Sequence, residues 1–176
     1  PTTSLVGTIW KSMNLDPTII VGGVVKSLES KSVLGGGDTF VVEADEYNKS
    51  LLHLSPTIAV INNIDFEHIE CYNDIDDLKD TFLQFANSVP FYGTVCACKD
   101  SNNVASILSK IDKPIITYGI ESQNVDIKAE NLHQENGTIS FDVKVKDQIF
   151  SVNLSVPGKY NAYNALAALS VCDTMG

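Results

Sequence analysis

Two short stretches hold most of the residues able to do chemistry. In "VVEADEYN" (41–48), Glu43, Asp45 and Glu46 follow an apolar run; in "VINNIDFEHIE" (60–70), Asn62, Asn63, Asp65, Glu67 and His68 do the same. Carboxylate oxygens suit a magnesium ion, which keeps several waters and takes phosphate oxygens from its substrate. An imidazole beside a carboxylate can hold a second ion. Side by side, two such strand ends form a cation site for a nucleotide. The same acids also read as caps or solvated loop residues, with Asp45 and Glu46 capping the next turn. His68, His53 and His133 also read as ordinary surface or core histidines.

Acids at strand ends matter only if a sheet presents them. Thr2 to Met13 has helical spacing, with Ile9, Trp10 and Met13 one turn beyond Leu5 and Val6. "LDPT" breaks that helix, and "IIVGG" is a short apolar run. Residues 38–43 and 57–64 are apolar enough to be strands covered on both faces. A helix from Asp74 to Ser88 follows, then the strand "GTVCAC", a helix from Ser101 to Lys110 with Ser101 as cap, and the strand "PIITYG". This alternation predicts an α/β fold with a mainly parallel sheet flanked by helices. Ligands of such sheets bind beyond the carboxyl ends of the strands. After Gly119 the pattern changes to period-two alternation, with turns at "ENG" and "KDQ". That predicts a three-stranded antiparallel patch over 123–156, separate from the parallel sheet. The final helix, "PGKYNAYNALAALSVCDTMG", packs through Ala162, Ala165, Leu166 and Leu169.

Composition narrows the function. The chain has 176 residues, enough for one domain with a sizeable core. Its net charge of −10 disfavours nucleic acid and anionic membranes as partners. No apolar run approaches the roughly 18 residues of a membrane span. All twelve basic residues are lysines, so guanidinium groups for phosphate or carboxylate must come from other segments. Cys71, Cys96, Cys98 and Cys172 lack zinc-site spacing and fit a reduced, cytoplasmic protein.

No complete phosphate cradle is present. "GGVVKS" (22–27) resembles a P-loop superficially but has no glycine directly before Lys26. "GGG" (35–37) precedes a strand rather than a helix and reads as a turn. "PTTS" at the start opens a helix where the tail of a Gly-Lys-Thr loop would lie, with Pro1 suited to its first turn.

Taken together, "TTSLVGTIW", "LDPTIIVGG", "EADEYNKSLLHLSP", "NIDFEHIECY", "LKDTFLQFANSVPFYG" and "PGKYNAYNALAA" resemble the central, ATP-binding domain of the Mur ligase family. The resemblance covers essentially all 176 residues. It implies one domain of a longer three-domain ligase, lacking the P-loop and the N- and C-terminal domains. Thr2 and Thr3 then trail the P-loop. The position matching Glu43 binds a magnesium that bridges the β- and γ-phosphates of ATP, and His68 matches the ligand of a second magnesium. Asn161 and Asn164 match adenine-contacting asparagines, although from the residues alone they read as helix caps. Tyr160 stands where the family usually has histidine, Glu67 where it usually has aspartate. Asn63 is assigned to substrate binding. Lys79, unlike a carbamylated lysine found in some relatives, reads as a solvated helix residue.

The implied reaction joins a carboxylate to an amine at the expense of ATP, through an acyl phosphate. UDP-N-acetylmuramate and L-alanine are the implied substrates, held by the flanking domains. Two alternatives stay open: a related amide ligase of murein recycling or folate glutamylation, and a non-catalytic nucleotide-binding module. Either ligase reading expects Glu43 and His68 to face one cleft from neighbouring parallel strands.

Overall fold

The computed structural model describes residues 1–25, 30–66 and 70–175. The chain divides into two compact units, Pro1–Ala44 and Asp45–Gly176. In the first unit, helix α1 (Thr2–Ser12) is followed by strands β1 (Thr18–Val25), β2 (Ser30–Val33) and β3 (Phe40–Val42). The strand order is β2-β1-β3, with β1 antiparallel to β2 and parallel to β3. The apolar stripe of α1 buries Val6 and Trp10. Gly7 lets the helix sit close: a Cβ there would lie 2.5 Å from Cδ1 of Ile19. "GGVV" is strand rather than phosphate loop, and "GGG" is a bend whose Gly36 N–H donates to Asp16 Oδ2 at 2.8 Å.

The second unit carries a six-stranded sheet in the order β4-β5-β6-β7-β8-β9. Its strands are β4 (Ile58–Ile61), β5 (Thr94–Cys98), β6 (Ile115–Gly119), β7 (Ile127–Glu135), β8 (Thr138–Val145) and β9 (Gln148–Leu154). The helices are α2 (Ile75–Asn87), α3 (Asn102–Ile107) and α4 (Lys159–Asp173). Strands β4, β5 and β6 run parallel, as the continuous apolar runs predict, and β7 also lies parallel to β6. Central β5 is the clearest case, with Val95, Cys96, Ala97 and Cys98 all buried. Burial pushes the Cys96 thiol up to about 11, so it packs as a small apolar group.

The antiparallel trio β7-β8-β9 has the predicted turns. Asn136 (φ 49°) and Gly137 (φ 80°) form the two-residue connection that a right-twisted hairpin favours. The trio is not separate, however. Strand β7 joins β6 through two pairs, Tyr118↔Ile127 and Gly119↔Lys128. Period-two alternation reports which faces are wet and carries no information about which strand lies alongside. Two elements had no periodic signal at all: β2, and a 3₁₀ segment at Tyr47–His53.

Caps set the helices as the sequence implies. Asp74 accepts from Asp77 N at 2.8 Å to open α2, and Ser101 accepts from Val104 N at 3.5 Å to open α3. Lys79 on α2 is less solvated than expected: its side chain is 22% exposed and lies 3.8 Å from Asp76. Its four-carbon stem lies along the helix surface while the ammonium reaches the carboxylate. Among the described residues no helix is long and apolar enough to cross a membrane.

The turn into β5 depends on close backbone approach. A Cβ at Gly93 would lie 2.2 Å from Thr57 O and 2.5 Å from Val89 Cγ1. Gly93→Ala is therefore expected to lower the unfolding free energy by about 1–3 kcal/mol, the usual cost of overpacking. The measurement is urea denaturation, where the midpoint should fall at unchanged slope. An unchanged midpoint would mean that the turn opens without strain.

Candidate functional site

Glu43 leaves the end of β3 with its backbone N–H donating to Ile20 O at 2.9 Å, so it continues the ladder with β1. Its Oε2 accepts the Gly22 N–H at 2.6 Å. A Cβ at Gly22 would lie 3.3 Å from that oxygen, so glycine is the residue that lets the carboxylate come in. Glu43 is exposed, and among the described residues its Oε1 accepts no hydrogen bond. One oxygen is tethered and one is available: a hard donor on a fixed arm, which suits magnesium. Thr2 and Thr3 lie in the first turn of α1, whose N-cap, Pro1, supplies no side-chain cap. Those first-turn N–H groups and the helix dipole favour an anion.

His68, with Glu67 and Ile69, lies outside the described residues. Within their units β3 pairs with β1, and β4 pairs with β5. Apolar runs of this kind specify burial, and buried parallel strands of similar composition do not encode their partners. Among the described residues no group of three or more His, Cys, Asp or Glu is placed to hold a metal.

Of the two acids read as caps, Asp45 braces the following turn, while Glu46, at the N-cap of the 3₁₀ segment, makes no side-chain cap bond. Asp45 Oδ1 accepts from Tyr47 N at 2.9 Å, and Asp45 O accepts from Leu51 N and Ser50 Oγ, both at 2.8 Å. Asn48 and Lys49 both have positive φ, and Lys49 Nζ reaches Asp77 Oδ1 at 2.6 Å. That ammonium and the Asn73 N–H hold the Asp77 carboxyl below its ordinary range.

The second strand end is also braced. Tyr118, fully buried on β6, donates its hydroxyl to Asn62 Oδ1. Asn63 donates to Asp65 Oδ2, while its Oδ1 accepts from Ser101 Oγ at 2.7 Å and Ile64 N at 3.0 Å. The Asn63 carbonyl oxygen thus ties the end of β4 to the start of α3, while its N–H braces the loop at Asp65.

At the start of α4, Tyr160 is 83% exposed. Asn161 Nδ2 donates to Pro157 O at 2.6 Å, leaving its carbonyl oxygen and second N–H without a partner among the described residues. Asn164, three residues on, shares that face of the helix. Sequence reasoning missed what lies underneath. Asp100, just past β5, accepts the N–H groups of Ile120, Glu121 and Ser122 at 2.6, 2.8 and 2.8 Å. It also accepts the Tyr163 hydroxyl of α4 at 2.9 Å. Burial alone would raise the Asp100 carboxyl, but the Ser122 hydroxyl and the three amides outweigh it and hold it well below the usual range. Lys128, buried, donates to Ile120 O and Ser122 O at 2.7 and 2.8 Å. The second tyrosine of "YNAYN" was the only sequence cue, and its partner cannot be read from spacing.

Residues 2–172 match the family described as the Mur ligase middle domain. The chain is 47% identical, over 175 residues, to the UDP-N-acetylmuramate–L-alanine ligase of Persephonella marina. That alignment covers 99% of this chain and 37% of the relative. In structure it is similar to UDP-N-acetylmuramate–alanine ligase from Thermotoga maritima, with a TM-score of 0.84 at 24% identity over 99% of this chain and 39% of that one. A MurF ligase from Thermotoga maritima, solved in complex with ADP, gives a TM-score of 0.78 at 17% identity over 99% of this chain and 42% of that one. The chain therefore spans little more than a third of the curated relative it matches.

The Asp100 cluster generates a pH prediction. Asp100→Asn is expected to cost about 2 kcal/mol at neutral pH, the range for hydrogen bonds to a charged group. The folded carboxyl titrates below its unfolded value, so the stabilisation is complete above about pH 4 and fades as pH falls through the folded value. Urea denaturation of both proteins should give a constant difference from neutral pH down to about pH 5, narrowing only in stronger acid. A difference that narrows toward alkaline pH instead would contradict the assignment.

Proposed function

The chain belongs to the Mur ligase family, and on that footing we propose that it is the central nucleotide-and-metal platform of a cytoplasmic, ATP-dependent ligase. That ligase adds L-alanine to the carboxylate of UDP-N-acetylmuramate, in peptidoglycan synthesis. The observation that carries this reading is the 47% identity to a relative named as an alanine-adding ligase, over 99% of this chain.

A carboxylate is a poor electrophile, so it is first converted. A carboxylate oxygen of the sugar-linked acid attacks the γ-phosphorus, the bond from that phosphorus to the ADP oxygen breaks, and an acyl phosphate forms. The L-alanine amine attacks the acyl carbon, loses a proton, and inorganic phosphate leaves with its electron pair. Magnesium, when bound, neutralises charge on the β- and γ-phosphates. The chain's part is to hold and orient. Glu43 presents one oxygen from an arm fixed by Gly22, and His68 is the second metal ligand in this reading. Thr2 and Thr3, in the uncapped first turn of α1, face the phosphates. Asn161 and Asn164 offer donor and acceptor together to the adenine edge, beside the exposed ring of Tyr160. Asn63 supports the substrate from the loop after β4. UDP-N-acetylmuramate and L-alanine are held by flanking domains, which also supply the guanidinium groups that this chain lacks.

The test is phosphate release from ATP by the protein in its full encoded length. Release should require both UDP-N-acetylmuramate and L-alanine, and the 176-residue chain by itself should release none. Glu43→Ala should lower the full-length rate by about 100-fold or more, as for removal of a group that stabilises transition-state charge. Activity with a different amino acid, and none with L-alanine, would move the protein to another branch of the family.

A further inference from the structure

Helix α4 is apolar nearly all round. Ala165 through Ala168 are buried in succession, more than a full turn, and Ala162 and Val171 extend the contact. Its alanines pack closely but give little shape that would resist rotation of the helix about its own axis, and of its large side chains only Leu166 is fully buried. The asparagines at its start need a defined orientation, because a base edge is read by hydrogen bonds that weaken steeply off-line.

At the far end of α4 Asp173 pairs with Lys146 at 2.6 Å; at the asparagine end the directional contacts come from two residues that flank or separate the asparagines. Tyr163 donates its hydroxyl to Asp100 Oδ2 at 2.9 Å. Lys159 pairs with Glu121 Oε1 at 2.5 Å, and its ammonium lies 5.9 Å from the Tyr163 ring centre. The receiving side is rigid: Asp100 is held by three backbone N–H groups, and Lys128 holds two carbonyls of the same loop. Gly119 makes room, since a Cβ there would lie 2.6 Å from Asp100 Oδ1.

We propose that Tyr163 is a positioning residue for nucleotide recognition: latched to Asp100, it fixes the rotation of α4 and thereby aims Asn161 and Asn164 at the adenine edge. This rests on the reading that those asparagines meet the base.

The experiment measures binding of ATP and of inorganic tripolyphosphate, each with magnesium, to the full-length protein. Tyr163→Phe keeps the ring and removes only the hydroxyl. It should weaken ATP by about fivefold, the equilibrium worth of one hydrogen bond, and leave tripolyphosphate unchanged. In turnover, KM for ATP should rise at constant kcat. Lys159→Gln, at the surface, leaves the interior untouched and should give a smaller loss of the same selective kind. Equal weakening of ATP and tripolyphosphate would mark a merely structural role and overturn the proposal. So would unchanged ATP binding in both variants while Asn161→Ala and Asn164→Ala weaken it. If the asparagine variants also bind ATP normally, or if the protein binds no ATP, the nucleotide reading itself fails and the latch falls with it.

Discussion

One desolvated carboxylate holds together the part of the sheet where its architecture changes. Strand β7 lies parallel to β6, but the two overlap by only two residue pairs. The connection from Gly119 to Ile127 is far shorter than the dozen or more residues of an ordinary parallel crossover. Such a connection must go out and back within a few residues, and its backbone groups have no ladder to satisfy them. Asp100 takes three of the N–H groups, and Lys128 and Lys99 take carbonyls from Ile120, Ser122 and Asn124. Thr117 and Asp126 close the base of the loop through paired hydrogen bonds at 2.7 Å. Without that set, the parallel half would have nothing to hand its edge to.

The same accounting explains how the lysines are used. Lys49 is committed to Asp77, Lys146 to Asp173 and Lys159 to Glu121, while Lys99 and Lys128 hold loop carbonyls. In a chain of net charge −10 with no arginine, these cations serve the fold. On the proposed reading a polyphosphate would meet the first turn of α1 and metal charge at Glu43, both of which act at short range.

The sequence made legible what is local and periodic. The span of α2 follows from Asp74 and the spacing of Leu78, Phe82 and Phe85, and the hairpin at Asn136-Gly137 follows from its turn chemistry. Continuous apolar runs announced β4, β5 and β6. What stayed hidden is what two distant segments decide together: the pairing of β3 with β1, the joint between β6 and β7, and the Asp100 cluster. Of the candidate site, Glu43 stood out because it closes an apolar run that reads as a buried strand, although β3 buries only Val41, and nothing in its spacing disclosed that Gly22 tethers it. "GGVVKS", set aside as a phosphate loop for want of a glycine before Lys26, has a different use for its first glycine: Gly22 serves the approach of the Glu43 carboxylate.

Stability and recognition meet at Asp100 but can be separated there. Its three amide contacts belong to the loop between β6 and β7, and its fourth contact belongs to α4. Removing the carboxylate removes both sets, so the sheet junction and the helix are disturbed together. Removing the Tyr163 hydroxyl leaves the amide set intact, since three N–H donors still satisfy the charge. The loop then stays in place while α4 loses its tie to Asp100 and keeps its apolar packing and its surface ion pairs through Lys159 and Asp173. A fold that anchors a proposed recognition helix to a carboxylate already committed to its own backbone gains orientation without adding another buried charge, and that economy suits a helix whose buried face is mostly alanine.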